Sequence, residues 1–179
     1  AGAGESCLPF PSRIFYQTAV CKAARAGYSP CEHAAFPGTL SAEDAVLTRY
    51  LTGIGDSVAD AGVRKLVLLN AHGGQTHVLD TLALDLRRRR GMLAVKASYF
   101  GFGVPAGLMD DHELTHGIHG GRVETAMMLH LAPDTVRMDR ARRFESLSAN
   151  LAAQNRHLRP EGAIGFGWLA QDLNPSGGV

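Results

Sequence analysis

Between residues 41 and 61 the apolar positions Leu47, Leu51, Ile54 and Val58 recur at spacings of four, three and four. That is one face of a helix, with Ser41 placed to cap its start and Asp44 in the first turn. Gly62 punctuates, and the nearly unbroken apolar run from Lys65 to Asn70 predicts a strand buried on both faces, as in a parallel sheet. A second helix is expected from about Thr76 to Arg90, with Leu79, Leu82, Ala83 and Leu86 inward. A second buried strand follows at Met92–Val95. The alternation of helix and strand predicts an α/β domain with right-handed crossovers. Residues 99 to 116 read as a loop. A third helix is expected from about His119, with Val123, Met127 and Leu131 inward and Pro133 ending it. Residues 139 to 157 read as helical too, and the glycine-rich stretch from Pro160 carries no clear pattern.

The chain has 179 residues, the size of one domain, with 45% hydrophobic and 20% charged residues and a formal charge of +1. That near-balance offers no attraction to nucleic acid or a membrane surface. Arg87 to Arg90 form the one basic run, where cations complement a helix carboxyl terminus. Cys7, Cys21 and Cys31 are an odd number without metal-type spacing, which predicts no disulfide framework and a cytoplasmic setting. The first eight residues lack the features of a secretion signal, and no run of about 18 apolar residues exists to span a bilayer.

Three segments bear chemistry. Asn70 to Gln75 contains His72, Gly73 and Gly74 at the carboxyl end of the first strand, where ligands gather in open α/β sheets. The segment reads equally as a ligand turn and as a plain strand-to-helix turn. His116 to Thr125 places His119 five residues before Glu124, an imidazole and a carboxylate of the kind that a divalent ion or an activated water requires. Glu124 also suits the first turn of a helix on electrostatic grounds alone. Glu32 to Thr39, taken alone, is a turn containing His33. His77, His112, His130 and His157 stand isolated.

Together, in this order, the three segments resemble the creatininase family, over roughly residues 28 to 144. The resemblance implies a three-layer α/β/α fold with a mostly parallel sheet, in one domain over residues 1–179. It implies hydrolysis of a non-peptide (cyclic or formyl) amide C–N bond of a small molecule by a metal-activated water. The cofactor would be a divalent metal (zinc, manganese or iron), and the assembly a homo-oligomer, of which a hexamer is one form. Carried over by residue, Glu5, His72 and Glu124 would bind metal, Glu124 alternatively orienting a ligand. His119 would be the acid/base or substrate-positioning histidine and, with Glu124, catalytic; His33, Gly73 and Gly74 would bind substrate. Residues 1–27 are shortened and divergent: Cys7 takes the place of the family's first histidine, and no aspartate follows. Two alternatives follow from that departure, a metal-depleted member acting as a binding or oligomer-forming protein, and a scaffold with Cys7 as nucleophile.

Overall fold

The computed structural model describes residues 32–37, 39 and 41–178. Among them, helix α1 (Asp44–Asp60) leads to strand β1 (Lys65–Asn70), helix α2 (Thr76–Arg90) and strand β2 (Leu93–Ser98). Helices α3 (Asp111–His116), α4 (Arg122–Leu131), α5 (Leu147–Gln154) and α6 (Ala170–Leu173) follow. The two strands pair in parallel, Lys65 opposite Leu93 through Asn70 opposite Ser98.

The core forms where the helical and strand periodicities meet. Leu47, Leu51 and Val58 of α1, Val78, Leu79, Leu82 and Leu86 of α2, and Leu66 of β1 make one buried cluster closed by Met92. Leu68 and Ala94 pack against it, so both helices lie on the face of the sheet that carries the even-numbered residues. The α2 arginines add exposed links between the helices: Arg89 reaches Asp56 at 3.1 Å and Arg90 pairs with Asp60. The basic run therefore closes onto its own fold. Gly91 ends α2 at φ +65°, a left-handed backbone that glycine adopts without cost.

Several sequence expectations are corrected. The strand is buried on one face only among the described residues: Leu66 is buried, whereas Val67 is 63% exposed. Among the described residues the helical core packs on the even-numbered face of the pair. Helix α1 starts at Asp44, its first turn closing on the Glu43 carbonyl rather than on Ser41. The expected loop contains α3, whose start is capped by the Asp110 carboxylate accepting from the Glu113 N–H at 2.8 Å. Helix α4 begins at Arg122, not His119, because Gly120 sits at φ +67° and breaks the turn. Its apolar residues do not join the core; Leu131 is 71% exposed. Within residues 139 to 157 a 3₁₀ turn, Met138–Arg140, ends at Arg140 and the α-helix is confined to α5, where the Ser146 hydroxyl accepts from the Ser148 N–H at 3.2 Å and starts the helix late.

Candidate metal and acid–base site

Strand β1 ends in Asn70, which is almost wholly buried. A polar side chain there must satisfy its hydrogen bonds locally, and it does so by shaping the following turn. Its amide nitrogen donates to the His72 carbonyl at 2.7 Å, and its oxygen accepts from the Gln75 side-chain amide at 2.9 Å. The turn then holds His72 extended and enters a single 3₁₀ turn, Gly73–Gln75, that runs into α2. Neither Gly73 nor Gly74 needs positive φ. A Cβ on Gly73 would lie 3.8 Å from the Glu161 carboxylate.

Opposite this turn lies the 32–39 segment. The Glu32 carbonyl accepts from the Ala170 N–H at 2.7 Å, and the His33 carbonyl from the Thr39 hydroxyl at 2.9 Å. The Phe36 ring packs on Gly177 so closely that a Cβ there would come within 2.6 Å of it. Held in this way, Glu32 is 9% exposed and places Oε1 2.7 Å from His72 Nε2 and 3.7 Å from His33 Nε2. Donor atoms of Glu32, His33 and His72 all lie within 4.8 Å of one another. A carboxylate with two imidazoles is the donor set of many hydrolytic zinc sites and suits manganese and iron as well.

The second half of the site comes from the 116–125 segment. The His33 and His119 rings stack with centroids 4.1 Å apart. Beyond them, Glu124 Oε2 lies 3.8 Å from His119 Nδ1 and accepts from the Gly120 N–H at 2.6 Å. The Tyr99 hydroxyl donates to Glu124 Oε1 at 3.5 Å. Burial lowers the His119 pKa, with Glu124 opposing, so the ring favours its neutral form. His33 is lowered too, by burial first and then by His119. Burial and the Glu124 charge push the Tyr99 phenol up to about 12, which keeps it a donor. Burial, reinforced by the Glu32 charge, raises the Glu161 carboxyl.

The structure thus joins His72, His33, His119 and Glu124, with Gly73 beside them, in one cluster. Glu5 and Cys7 lie outside the described residues. Glu124 is not within the compact donor group; its oxygens are engaged by Gly120, Tyr99 and His119. Sequence reasoning gave no role to Glu32, Tyr99 or Glu161. The pairing of Glu32 with His33 in one turn was the available signal for the first. Nothing in the order of residues pointed to the other two.

The α/β scaffold thus gathers a carboxylate and two imidazoles beside a third, half-buried histidine, a donor set with the chemistry to hold a divalent metal. The family model for creatininase (creatinine amidohydrolase) matches residues 11–179. The chain belongs to the creatininase family. It is 36% identical over 111 residues to the mycofactocin precursor peptide peptidase of Mycobacterium tuberculosis (strain CDC 1551 / Oshkosh), covering 62% of this chain and 39% of that protein. It is also 36% identical over 116 residues to the creatinine amidohydrolase of Pseudomonas putida, covering 59% of this chain and 45% of that one. A solved structure described as creatininase Mn superposes with a TM-score of 0.51 at 30% identity, over 71% of this chain and 60% of that chain. The chain spans less than half the length of these two curated relatives. The fold is α/β and creatininase-like, with a parallel sheet.

Proposed function

We propose that this chain is the metal-binding and acid–base part of an amidohydrolase that cleaves an amide C–N bond by water. The observation that supports it is convergence: three segments far apart in sequence deliver Glu32, His33, His72, His119 and Glu124 to one place. Glu32, His33 and His72 are the residues proposed to hold a divalent metal, which when bound lowers the pKa of water and polarises a carbonyl. Family membership and a solved relative described with manganese support a divalent metal. Glu5 is proposed as a further carboxylate ligand.

The remaining roles follow from position. Glu124 holds the Nδ1 side of His119, which leaves Nε2 to pass a proton to the departing nitrogen. Burial keeps the His119 ring unprotonated, so a ring nitrogen is free to take a proton from water and return it later. The N–H groups of Gly73 and Gly74, at the start of the turn that enters α2, are proposed to take the developing oxyanion.

Metal content decides the matter. Elemental analysis of chain purified without chelator or histidine tag should find bound divalent metal, and His72→Ala and Glu32→Ala should each abolish it without unfolding the domain. A screen of cyclic, formyl and peptide amides should then find hydrolysis in the parent and none in either variant. Metal retained in full by both variants would overturn the ligand assignment. Absence of metal even after incubation with excess ion would leave the alternative of a binding or oligomer-forming family member.

A further inference from the structure

Helix α4 carries Met127, Met128 and Leu131 into an open cavity of 540 Å³ instead of into the core. Tyr99 and Val136 line the same cavity, and its inner wall includes Glu124 of the acid–base pair and Ala71, the neighbour of His72. Its lining is overwhelmingly apolar. A second cavity of 1010 Å³ opens beside it, and Gly120, Thr125, Val136 and Arg137 line both. Each is large for a compact cyclic amide, since sites of about 300–1,000 Å³ take drug-sized ligands.

The second cavity differs in charge. Five arginines line it: Arg122, Arg137, Arg140, Arg142 and Arg143. Arg122 is paired with Asp110 at 2.7 Å and Arg143 with Glu145 at 2.6 Å, and the Glu113 carboxylate that also lines the cavity is taken by the Arg122 and Val123 N–H groups. Among the described residues no carboxylate pairs with Arg137, Arg140 or Arg142. Arg142 reaches only the carbonyls of Asp139 and Ala141. Arg137 and Arg140 stand one turn apart, the Arg140 N–H donating to the Arg137 carbonyl at 3.0 Å. Guanidinium groups left without counter-charges along a groove favour carboxylates spaced along a chain.

From this juxtaposition we infer that the site takes an extended acidic peptide. One apolar residue fills the cavity beside Glu124, and neighbouring carboxylates lie along Arg137, Arg140 and Arg142. The inference deepens the hydrolytic reading by naming its substrate class, and it narrows that class from compact cyclic or formyl amides. The binding it describes does not need the metal.

The test is fluorescence anisotropy with the 179-residue chain and a fluorescein-labelled peptide in which one phenylalanine is flanked by aspartates. An exposed ion pair contributes at most about fivefold, so the aspartate peptide should bind roughly three- to tenfold tighter than its asparagine analogue, and the margin should shrink with added salt. Replacing the phenylalanine by serine should weaken binding further. Arg137→Ala/Arg140→Ala should remove the aspartate preference, and Arg137→Glu/Arg140→Glu should transfer it to a lysine-flanked peptide. Both residues are exposed, so folding is not at stake. Equal affinity for the aspartate and asparagine peptides, no binding of either, or a preference that survives in both double variants would overturn the inference. His72→Ala separates the two readings: it should lose metal and hydrolysis yet keep the aspartate preference. If hydrolysis proves absent while that preference holds, the hydrolytic reading falls and the groove assignment stands.

Discussion

Two glycines of α1 offer a paired experiment on the packing that supports the site. A Cβ built on Gly55 would lie 2.8 Å from both Cδ1 and Cδ2 of Leu86 and 3.3 Å from its Cγ. Leu86 is completely buried, so its branched end has nowhere free to turn. A Cβ on Gly53 meets nothing within 4 Å. Replacing glycine by alanine inside a helix gains about 1 kcal/mol of propensity, whereas forcing a methyl into a filled core costs about 1–3 kcal/mol. Gly53→Ala should therefore stabilise the chain by up to about 1 kcal/mol, while Gly55→Ala should lose about 1 kcal/mol net. Leu86→Ala alone should cost about 2–5 kcal/mol. Combined with Gly55→Ala it should cost at least about 1 kcal/mol less than the sum, because the new methyl enters the vacated space. Urea unfolding followed by far-ultraviolet circular dichroism measures all four variants. Equal stabilisation by Gly53→Ala and Gly55→Ala, or strict additivity in the double variant, would refute the packing described between α1 and α2.

Other outcomes follow from single contacts. Glu113→Ala removes the acceptor for the Arg122 and Val123 N–H groups at the start of α4, and should cost about 0.5–2 kcal/mol in urea unfolding, as loss of a helix cap does. Tyr99→Phe deletes a long hydrogen bond to Glu124; amide turnover should fall less than tenfold, an effect of about 1 kcal/mol, while metal content should not change. The His116 pKa is lowered by burial, then by His112 and Arg159, and the ring contacts the Ser148 hydroxyl at 3.0 Å. A histidine lowered in the folded state contributes stability above its unfolded pKa near about 6.5, and that contribution is lost as pH falls through the folded value. Unfolding midpoints measured downward from pH 7 should therefore drop less steeply for His116→Gln than for the parent, and an unchanged slope would refute the assignment.

The parts of the fold that sequence pattern revealed are those whose side chains enter the core. The four-three-four spacing of Leu47, Leu51, Ile54 and Val58 and the run from Lys65 to Asn70 both report contact with Leu86 and its neighbours. Patterns failed where apolar residues serve a cavity. Met127 and Leu131 keep helical spacing, yet they face open space beside Glu124. Helix α3 escaped notice because Asp111 to His116 contains a single apolar residue, Leu114; the Asp110–Glu113 spacing was the sign of its cap. In the site, His33, His72, His119 and Glu124 were legible from motif order. The role of Glu32 depends on a carbonyl bond to Ala170, and that of Glu161 on a fold of the chain beside Gly73, contacts that no local pattern encodes.

The bond from the Ala170 N–H to the Glu32 carbonyl, with Gly177 seated against Phe36, joins positions from opposite ends of the described chain. On the ribosome these closing contacts can form only after Ala170 and Gly177 have left the exit tunnel, long after Glu32 and His72 have emerged. The anchors of the 32–39 segment are therefore among the last contacts of the described chain to be made.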